Sequence, residues 1–597
     1  MKKRKTLLVL SVLGLFALAG CSGLFSNSST DSSSPNSSSE NSGNAYDYNT
    51  SISVADPDDI TVDENTDEFS LTTSDGTISQ SGNVYTLTAA GTYTASGKLE
   101  GQILVNAGDD DEVELELNNA TIVYDQDSPI KCVNADKLEI SAKKDTGNII
   151  TDNRSKKTVD SETQGEGAIS SDVDLKLKGA GTLVVTGNYN NGIHTTKDFT
   201  MQKLKVKSTS YNNAVKGKDN ITITSGELQA YSLTGNGLKT EDSDLSSKGK
   251  QRGNITINGG AVYVNSLHDA LDASYNVVID QLDDSAVTTL KVKTGKNSST
   301  YNSSSFAATS EKGLKAENEI IVNKGTIEIA ASDDAIHANY GASLENGEKG
   351  LGNITINDGL IKVASGDDGL HADNTLAIKG GKIVVTGATE GFEANYINIT
   401  GGYSYIYGTD DGVNCSKKSF NSCSIEISGG YLDVAVSNGD TDGIDSNGDV
   451  YITGGVVITR GSPGTKLSGM STGLDVDGIC SMTGGTLIAF NGLEKKPTTN
   501  GSVMYAGIAT SGGYRPGPGG GGGPGGGGTQ SSITLNAGEY TLSGDGLGEI
   551  SFINDFVYGS FMIYSSSLQT SSTYTLSLSG TSVLSWTQSS SSTTISA

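Results

Sequence analysis

The stretches "DDAIHA" (333–338) and "DDGLHA" (367–372) place two acids three and four positions ahead of a histidine, and they stand 34 residues apart. The chain has four histidines, and this motif uses two of them, His337 and His371. Carboxylates beside an imidazole can hold a metal ion, relay a proton or contact a polar ligand. No Cys or Glu partner stands at zinc spacing from these histidines, so the oxygen-rich acids suit Ca²⁺ better than Zn²⁺ or copper. The same order of polar, small and aliphatic residues recurs along most of the chain. The motif therefore reads as one position of a repeat rather than a duplicated active site.

The repeat centres on an aliphatic at Ile130, Ile169, Ile193, Val215, Leu238, Leu271, Leu314, Ile336, Leu370, Val413, Ile444 and Leu474, with Phe392 in the same slot. Six of the twelve steps between these landmarks are 21–24 residues, and the other six are that length plus a loop. A second signature, as in "ITINDGLIKV" (354–363) and "IEISGGYLDV" (425–434), reads strand, Gly turn, strand. Its period-two alternation marks half-buried strands. Three short strands per repeat without helices predict an all-β fold, a right-handed parallel β-helix of about 12–14 coils with β-rich terminal caps. Such coils would stack at about 4.8 Å, giving roughly 58 Å of solenoid. An antiparallel β-sandwich is the rival, but it needs neither the spacing nor one aliphatic slot reused throughout.

In a coil of this kind the aliphatic points inward and its neighbours outward. One place after it stand His194, Lys216, Lys239, Lys315, His337, His371, Glu393 and Asp445. Two places before it stand Asn191, Asn213 and Asn236, then Asp334, Asp368, Glu390, Asp411 and Asp442. The asparagines can satisfy one another as a stacked amide ladder. The acids cannot. Carboxylates about 4.8 Å apart repel by about 1 kcal/mol in water and about 3–4 kcal/mol at an effective dielectric of about 20. Asp333, Asp334, Asp367, Asp368, Asp410, Asp411, Asp440, Asp442 and Asp445 are therefore the candidate Ca²⁺ ligands, against the plainer reading of a solvated acidic face. Insertions at 243–253, 339–352 and 416–424 leave the coil at one corner, where loops build groove walls.

The chain carries 69 acids against 41 bases, a formal net charge of −28, which argues against nucleic acid as a partner. Residues 1–20 read as an export signal with a basic start and a short apolar core. "LAGC" (18–21) resembles the bacterial lipoprotein cleavage box, which implies a lipid anchor on Cys21. The expected location is the extracytoplasmic face of a cell membrane, touched only through that anchor. Residues 21–50 are a Ser/Asn-rich tether, 51–127 an N-terminal β cap, and 128–511 the repeat. A Gly/Pro-rich loop at 512–529 and a C-terminal β cap and tail at 530–597 follow. Cys415 and Cys423, eight residues apart, could pair or remain as buried thiols.

With the "DD[AG][IL]HA" corners, "TDGIDSNGDVYITGG" (441–455) and "TGLDVDG" (472–478), the chain resembles the bacterial carbohydrate-binding domain-containing β-helix family. The resemblance implies a cell-surface protein that binds plant-wall polysaccharide, with a fold similar to calcium-dependent pectate lyases and calcium at acidic corners. Binding without cleavage would use the polar face around His337, His371, Glu390 and Glu393. The lyase-like alternative needs a base beside a calcium-neutralised uronate carboxylate, for which Lys315, Lys239 and Lys216 are the candidates. The "GHG" and "RIK" motifs of hydrolytic pectinases are absent. A third reading is a structural adhesin that binds protein.

Overall fold

Alternating aliphatic and polar residues can bury one face of a strand only if another strand covers it. Here the covering strand comes from the next repeat. The computed structural model describes residues 52–158, 164–299, 301, 310–464, 471–508 and 533–596. Among them the regular structure is all β apart from one short 3₁₀ turn, Gly295–Asn297, and most strands join one large, mostly parallel sheet. The export signal, Cys21, the tether and the Gly/Pro-rich segment lie outside the described residues.

The pairing follows a rule of three: through most of the chain each strand pairs in parallel with the third strand after it. Three files of residues result. One runs Ile130, Ile169, Ile193, Val215, Leu238, Leu271, Leu314, Ile336, Leu370, Phe392, Val413, Ile444, Leu474 in unbroken register. These are the thirteen landmarks of the repeat. All are fully buried in one continuous core with the aliphatics of the other two files. Each such side chain contributes about 1.5–3 kcal/mol on burial. The parallel pairing also reaches upstream of residue 128, since Val84–Leu87 pairs with Gln102–Asn106, which pairs with Ile130–Asn134.

Gly turns make the corners tight. Gly402 sits at φ 76°, and a Cβ there would lie 2.7 Å from the Gly380 carbonyl of the preceding unit. Gly391 meets a similar limit, because a Cβ would stand 2.0 Å from Ile406 Cγ2. The four cysteines among the described residues, Cys132, Cys415, Cys423 and Cys480, are buried free thiols. Burial pushes the Cys132 thiol up to about 12.

Two elements close the stack. Residues 52–65 run along it as an extended strap. Ile52 N donates to Thr386 Oγ1 (3.2 Å), Asp56 pairs with Lys293 (2.7 Å), Asp59 pairs with Lys207 (2.5 Å), and Asn65 N donates to Thr121 Oγ1 (3.0 Å). At the other end, an antiparallel sheet in the order Gly548–Asn554, Gly538–Gly544, Thr573–Leu578, Thr581–Thr587 shares a second core with Tyr405, Tyr431, Ile458 and Phe490. There Arg460, fully buried, meets Asp433 and donates to Asn554 Oδ1 at 2.7 Å.

Replacing Phe392 with Ala should cost about 3–5 kcal/mol, the range for emptying a buried aromatic site. Glu426→Ala, on an exposed outward position, should stay within about 0.5 kcal/mol. Chemical denaturation of the two variants checks this, and equal losses would contradict the core assignment.

Candidate functional site

The Asn/Asp position two places before the inward aliphatic has a structural duty. Its Oδ1 accepts the backbone N–H of the equivalent residue one unit on. Asn191 accepts from Asn213 (3.3 Å), Asn213 from Asn236 (3.1 Å), Asp269 from Lys312 (2.8 Å), Asp334 from Asp368 (3.0 Å), Asp368 from Glu390 (3.3 Å) and Asp411 from Asp442 (2.8 Å). The expected amide ladder is present, with Asn213 Nδ2 donating to Asn191 Oδ1 at 2.9 Å. Each acid therefore commits one oxygen to the backbone and keeps one for chemistry.

The column after the aliphatic is also in register: His194, Lys216, Lys239, Asp272, Lys315, His337, His371, Glu393, Asn414, Asp445, Asp475. Pointing outward from the core does not leave it open to solvent. Glu393 is 1% exposed, and the side chains of His337 and His371 are 12% exposed. The cover comes from a third polar slot, two residues past the column, holding Glu317, Asn339, Asp373 and Asn395, and from the insertions beside it.

Two carboxylate groups emerge, and they differ in charge balance. In the first, His337 Nδ1 lies 2.5 Å from Asp334 Oδ2, and His371 Nδ1 lies 2.9 Å from Asp368 Oδ2. Lys312 Nζ reaches Asp334 Oδ2 (2.6 Å) and Asp333 Oδ1 (2.8 Å). Lys418 Nζ reaches Glu393 Oε2 at 2.5 Å. The free oxygens of this group are thus met by cations. Burial opposes the charge on His371, but Asp368, Asp373 and Glu393 outweigh it and lift the imidazole to about 10. His337 is raised in the same way by Asp334 and Asp373. Burial, then Glu393 and Asp368, push Glu390 up to about 8. Asp367 is exposed at the rim and within reach of Asp333 and Asp334. His194 is a different case: burial, then Lys216, push it down to about 4, and its Nδ1 has no hydrogen-bond partner.

The second group is Asp411, Asp442 and Asp445, joined by Asp475 and Glu494, with Asp410 and Asp440 exposed at its edge. Among the described residues, no lysine, arginine or histidine figures among the groups that most perturb the three central acids. Burial first, then the neighbouring carboxylates, push Asp411 up to about 6 and Asp442 and Asp445 up to about 7. Asn414, between Glu393 and Asp445 in the column, donates through Nδ2 to Glu390 (2.6 Å), while its buried Oδ1 accepts nothing.

The three candidate lysines are engaged. Lys216 pairs with Glu241 (2.6 Å), Lys239 with Asp272 (2.5 Å), and Lys315 with Glu317 (3.2 Å) and Asp272 (3.6 Å). Against the desolvation of burial, Asp272, Asp269 and Glu317 hold the Lys315 ammonium well above its usual range, the opposite of what a general base needs.

Several residues at the site were not singled out from sequence. Asp373 follows "DDGLHA" directly, where "DDAIHA" has Asn339. That single difference was the available signal. Tyr340, on the hairpin Tyr340–Ser343/Lys349–Leu351, and Phe420, on the 416–424 insertion, meet at 4.7 Å, with Tyr396 5.8 Å from Phe420. Tyr340 is 38% exposed, and its backbone N–H donates to Asp373 Oδ2 at 2.9 Å. Two sequence-distant loops thus set an aromatic wall beside the histidine group.

A stack of parallel units presenting a polar file along one side defines a class of extended-surface proteins rather than a small-molecule pocket. The model of the family described as "Carbohydrate-binding domain-containing protein" matches residues 81–369 and 368–508, and the chain belongs to this family. A protein of that description from Acetivibrio thermocellus is 32% identical over 202 residues, which is 33% of this chain and 63% of that relative. The match therefore spans less than two thirds of the relative's length. A solved structure titled as the polysaccharide lyase-like protein from C. thermocellum, a gadolinium derivative, is 29% identical, covers 38% of this chain and 89% of its own, and has a TM-score of 0.34.

The raised acids set a pH dependence. Asp411, Asp442 and Asp445 have folded pKa values of about 6, 7 and 7 against 3.8 when unperturbed. Their contribution to stability is complete below 3.8 and is lost as pH rises through about 7. The melting temperature of the chelator-treated protein should carry a fall over that window, and Asp442→Asn should flatten it. An Asp442→Asn profile parallel to that of the parent protein would contradict the assignment.

Proposed function

We propose that this protein is a surface-anchored, calcium-stabilised right-handed parallel β-helix that binds extended, plant-wall-type polysaccharide without cleaving it. The rule-of-three parallel pairing supports the β-helix, and the handedness follows from the preference of parallel crossover connections. Membership of a carbohydrate-binding family supports the ligand class. The anchor would be Cys21, with the 21–50 segment as tether, on the extracytoplasmic face of the cell membrane.

The observation that carries the binding reading is the wall of Tyr340, Phe420 and Tyr396 beside a continuous polar file. Aromatic faces stack on the apolar faces of sugar rings, and polar groups alongside bond to hydroxyls. Lys418, 53% exposed, and Asp373 stand at the rim. His337, His371, Glu390 and Glu393 lie beneath and hold the rim in place.

Calcium is assigned to the second group, where Asp411, Asp442, Asp445 and Asp475 offer oxygens with no neutralising base among the described residues and Asn414 Oδ1 is unsatisfied. Hard carboxylate and amide oxygens are what Ca²⁺ takes. The first group interleaves Lys312 and two imidazoles with its carboxylates, a donor set that does not suit Ca²⁺. The engagement of Lys216, Lys239 and Lys315 supports binding over lyase chemistry.

Retention on a panel of polysaccharides, with calcium or chelator, tests the reading. Tyr340→Ala with Phe420→Ala should lower affinity about tenfold, equivalent to about 1.4 kcal/mol. Calcium should raise the melting temperature of the parent protein and have little effect on Asp442→Asn. Retention on none of the polysaccharides in the presence of calcium would refute the binding role. Release of unsaturated uronate products would refute the claim that it does not cleave.

A further inference from the structure

His337 and His371 are register partners on adjacent units, with ring centroids 4.3 Å apart and planes 18° apart. The two imidazoles are held alike. Each Nδ1 faces a carboxylate of the Asn/Asp file, Asp334 at 2.5 Å and Asp368 at 2.9 Å. Those contacts keep a proton on Nδ1 and leave Nε2 as the coordinating nitrogen. Both Nε2 atoms meet one oxygen, Asp373 Oδ1, at 3.5 Å from His337 and 3.4 Å from His371. Glu393 Oε2 stands 3.4 Å from His371 Nε2.

These separations are long for N–H···O hydrogen bonds. These three separations stand close to the edge of a tetrahedral ligand set, about 3.4 Å for metal–ligand bonds of about 2.0–2.1 Å, and the other edges would have to close around the ion. His337 Nε2 is buried and has no hydrogen-bond partner. A carboxylate on the far nitrogen of each imidazole is the usual outer support of a metal-bound histidine.

We propose that His337, His371, Asp373 and Glu393 form a site for a divalent transition metal of the zinc type. Coordination would be through both Nε2 atoms and one oxygen from each carboxylate, with Asp334 and Asp368 as outer supports. The cation replaces the Nε2 protons, which leave to solvent. Two imidazoles select for such a metal over Ca²⁺, whose preferred ligands are oxygens alone. Lys418 meets Glu393 Oε2 and its side chain is 53% exposed, so it would give up that contact to the metal and turn to solvent. The site is independent of the calcium assignment and of the sugar-binding reading, and it would brace the Asp373–Tyr340 contact that positions the aromatic wall.

The test uses the untagged, chelator-stripped protein, whose only other histidines are His194 and His268. Titration with Co²⁺ should produce the visible ligand-field bands of a tetrahedral site, and Zn²⁺ should abolish them one for one. A large excess of Ca²⁺ should not. His337→Gln with His371→Gln should remove the bands. Asp373→Asn, a milder change at a part-exposed position, should weaken binding at least tenfold, and Asp334→Asn should do so by about 10–100-fold. Asp442→Asn should leave the site intact. Absence of tetrahedral Co²⁺ bands in the parent protein would overturn the proposal, as would undiminished Co²⁺ affinity in a folded Asp373→Asn variant.

Discussion

Everything in this molecule depends on one constraint: parallel strands pair in register with the same position of the next unit. Backbone hydrogen bonding enforces a spacing of about 4.8 Å, and it applies to every side chain the backbone carries. For aliphatics the constraint is favourable, since each covers the next and the core becomes continuous. For glycines at the corners it is strict, because the neighbouring backbone occupies the space a Cβ would need. For charges it is a problem that the sequence has to solve unit by unit.

The polar files show three solutions. Asparagine solves it by donating and accepting along the stack, as Asn191 and Asn213 do. Alternating charge solves it next, where Lys239, Asp272 and Lys315 follow one another. The histidine pair solves it with imidazoles bracketed by Asp334, Asp368 and Asp373. Around Asp411, Asp442 and Asp445 no such partner stands among the described residues that most perturb them, and the carboxyls respond by taking up protons more readily. That contrast separates a region whose carboxylates are bracketed by imidazoles and lysines from one whose carboxylates face one another.

The inward files were legible in the sequence because a side chain repeated at every turn leaves a period, and all thirteen landmark positions fall into one register. The acids and histidines were legible as columns for the same reason. Their burial was not. It depends on Asp373 and on the 339–352 and 416–424 insertions, whose residues carry no period and meet only in space, as Tyr340 and Phe420 do. The strap was hidden likewise: Ile52 and Thr386 are 334 residues apart, and "SISVADPDDI" (51–60) alternates with nothing. The C-terminal sheet was readable as strands, whereas its docking through Arg460, Asp433 and Asn554 rests on single side chains that no pattern announces.

The central claim is therefore the regular spacing of equivalent positions. Thr200, Thr222, Thr256, Val278, Ile321, Thr355, Ala377 and Asn398 form one file, each paired with the next. Spin labels at Thr200 and Asn398, seven units apart in that file, should give a narrow pulsed-EPR distance distribution centred at about 34 Å, seven spacings of about 4.8 Å. A broad distribution, or one centred far from that multiple, would contradict the stacked arrangement on which the sites are built.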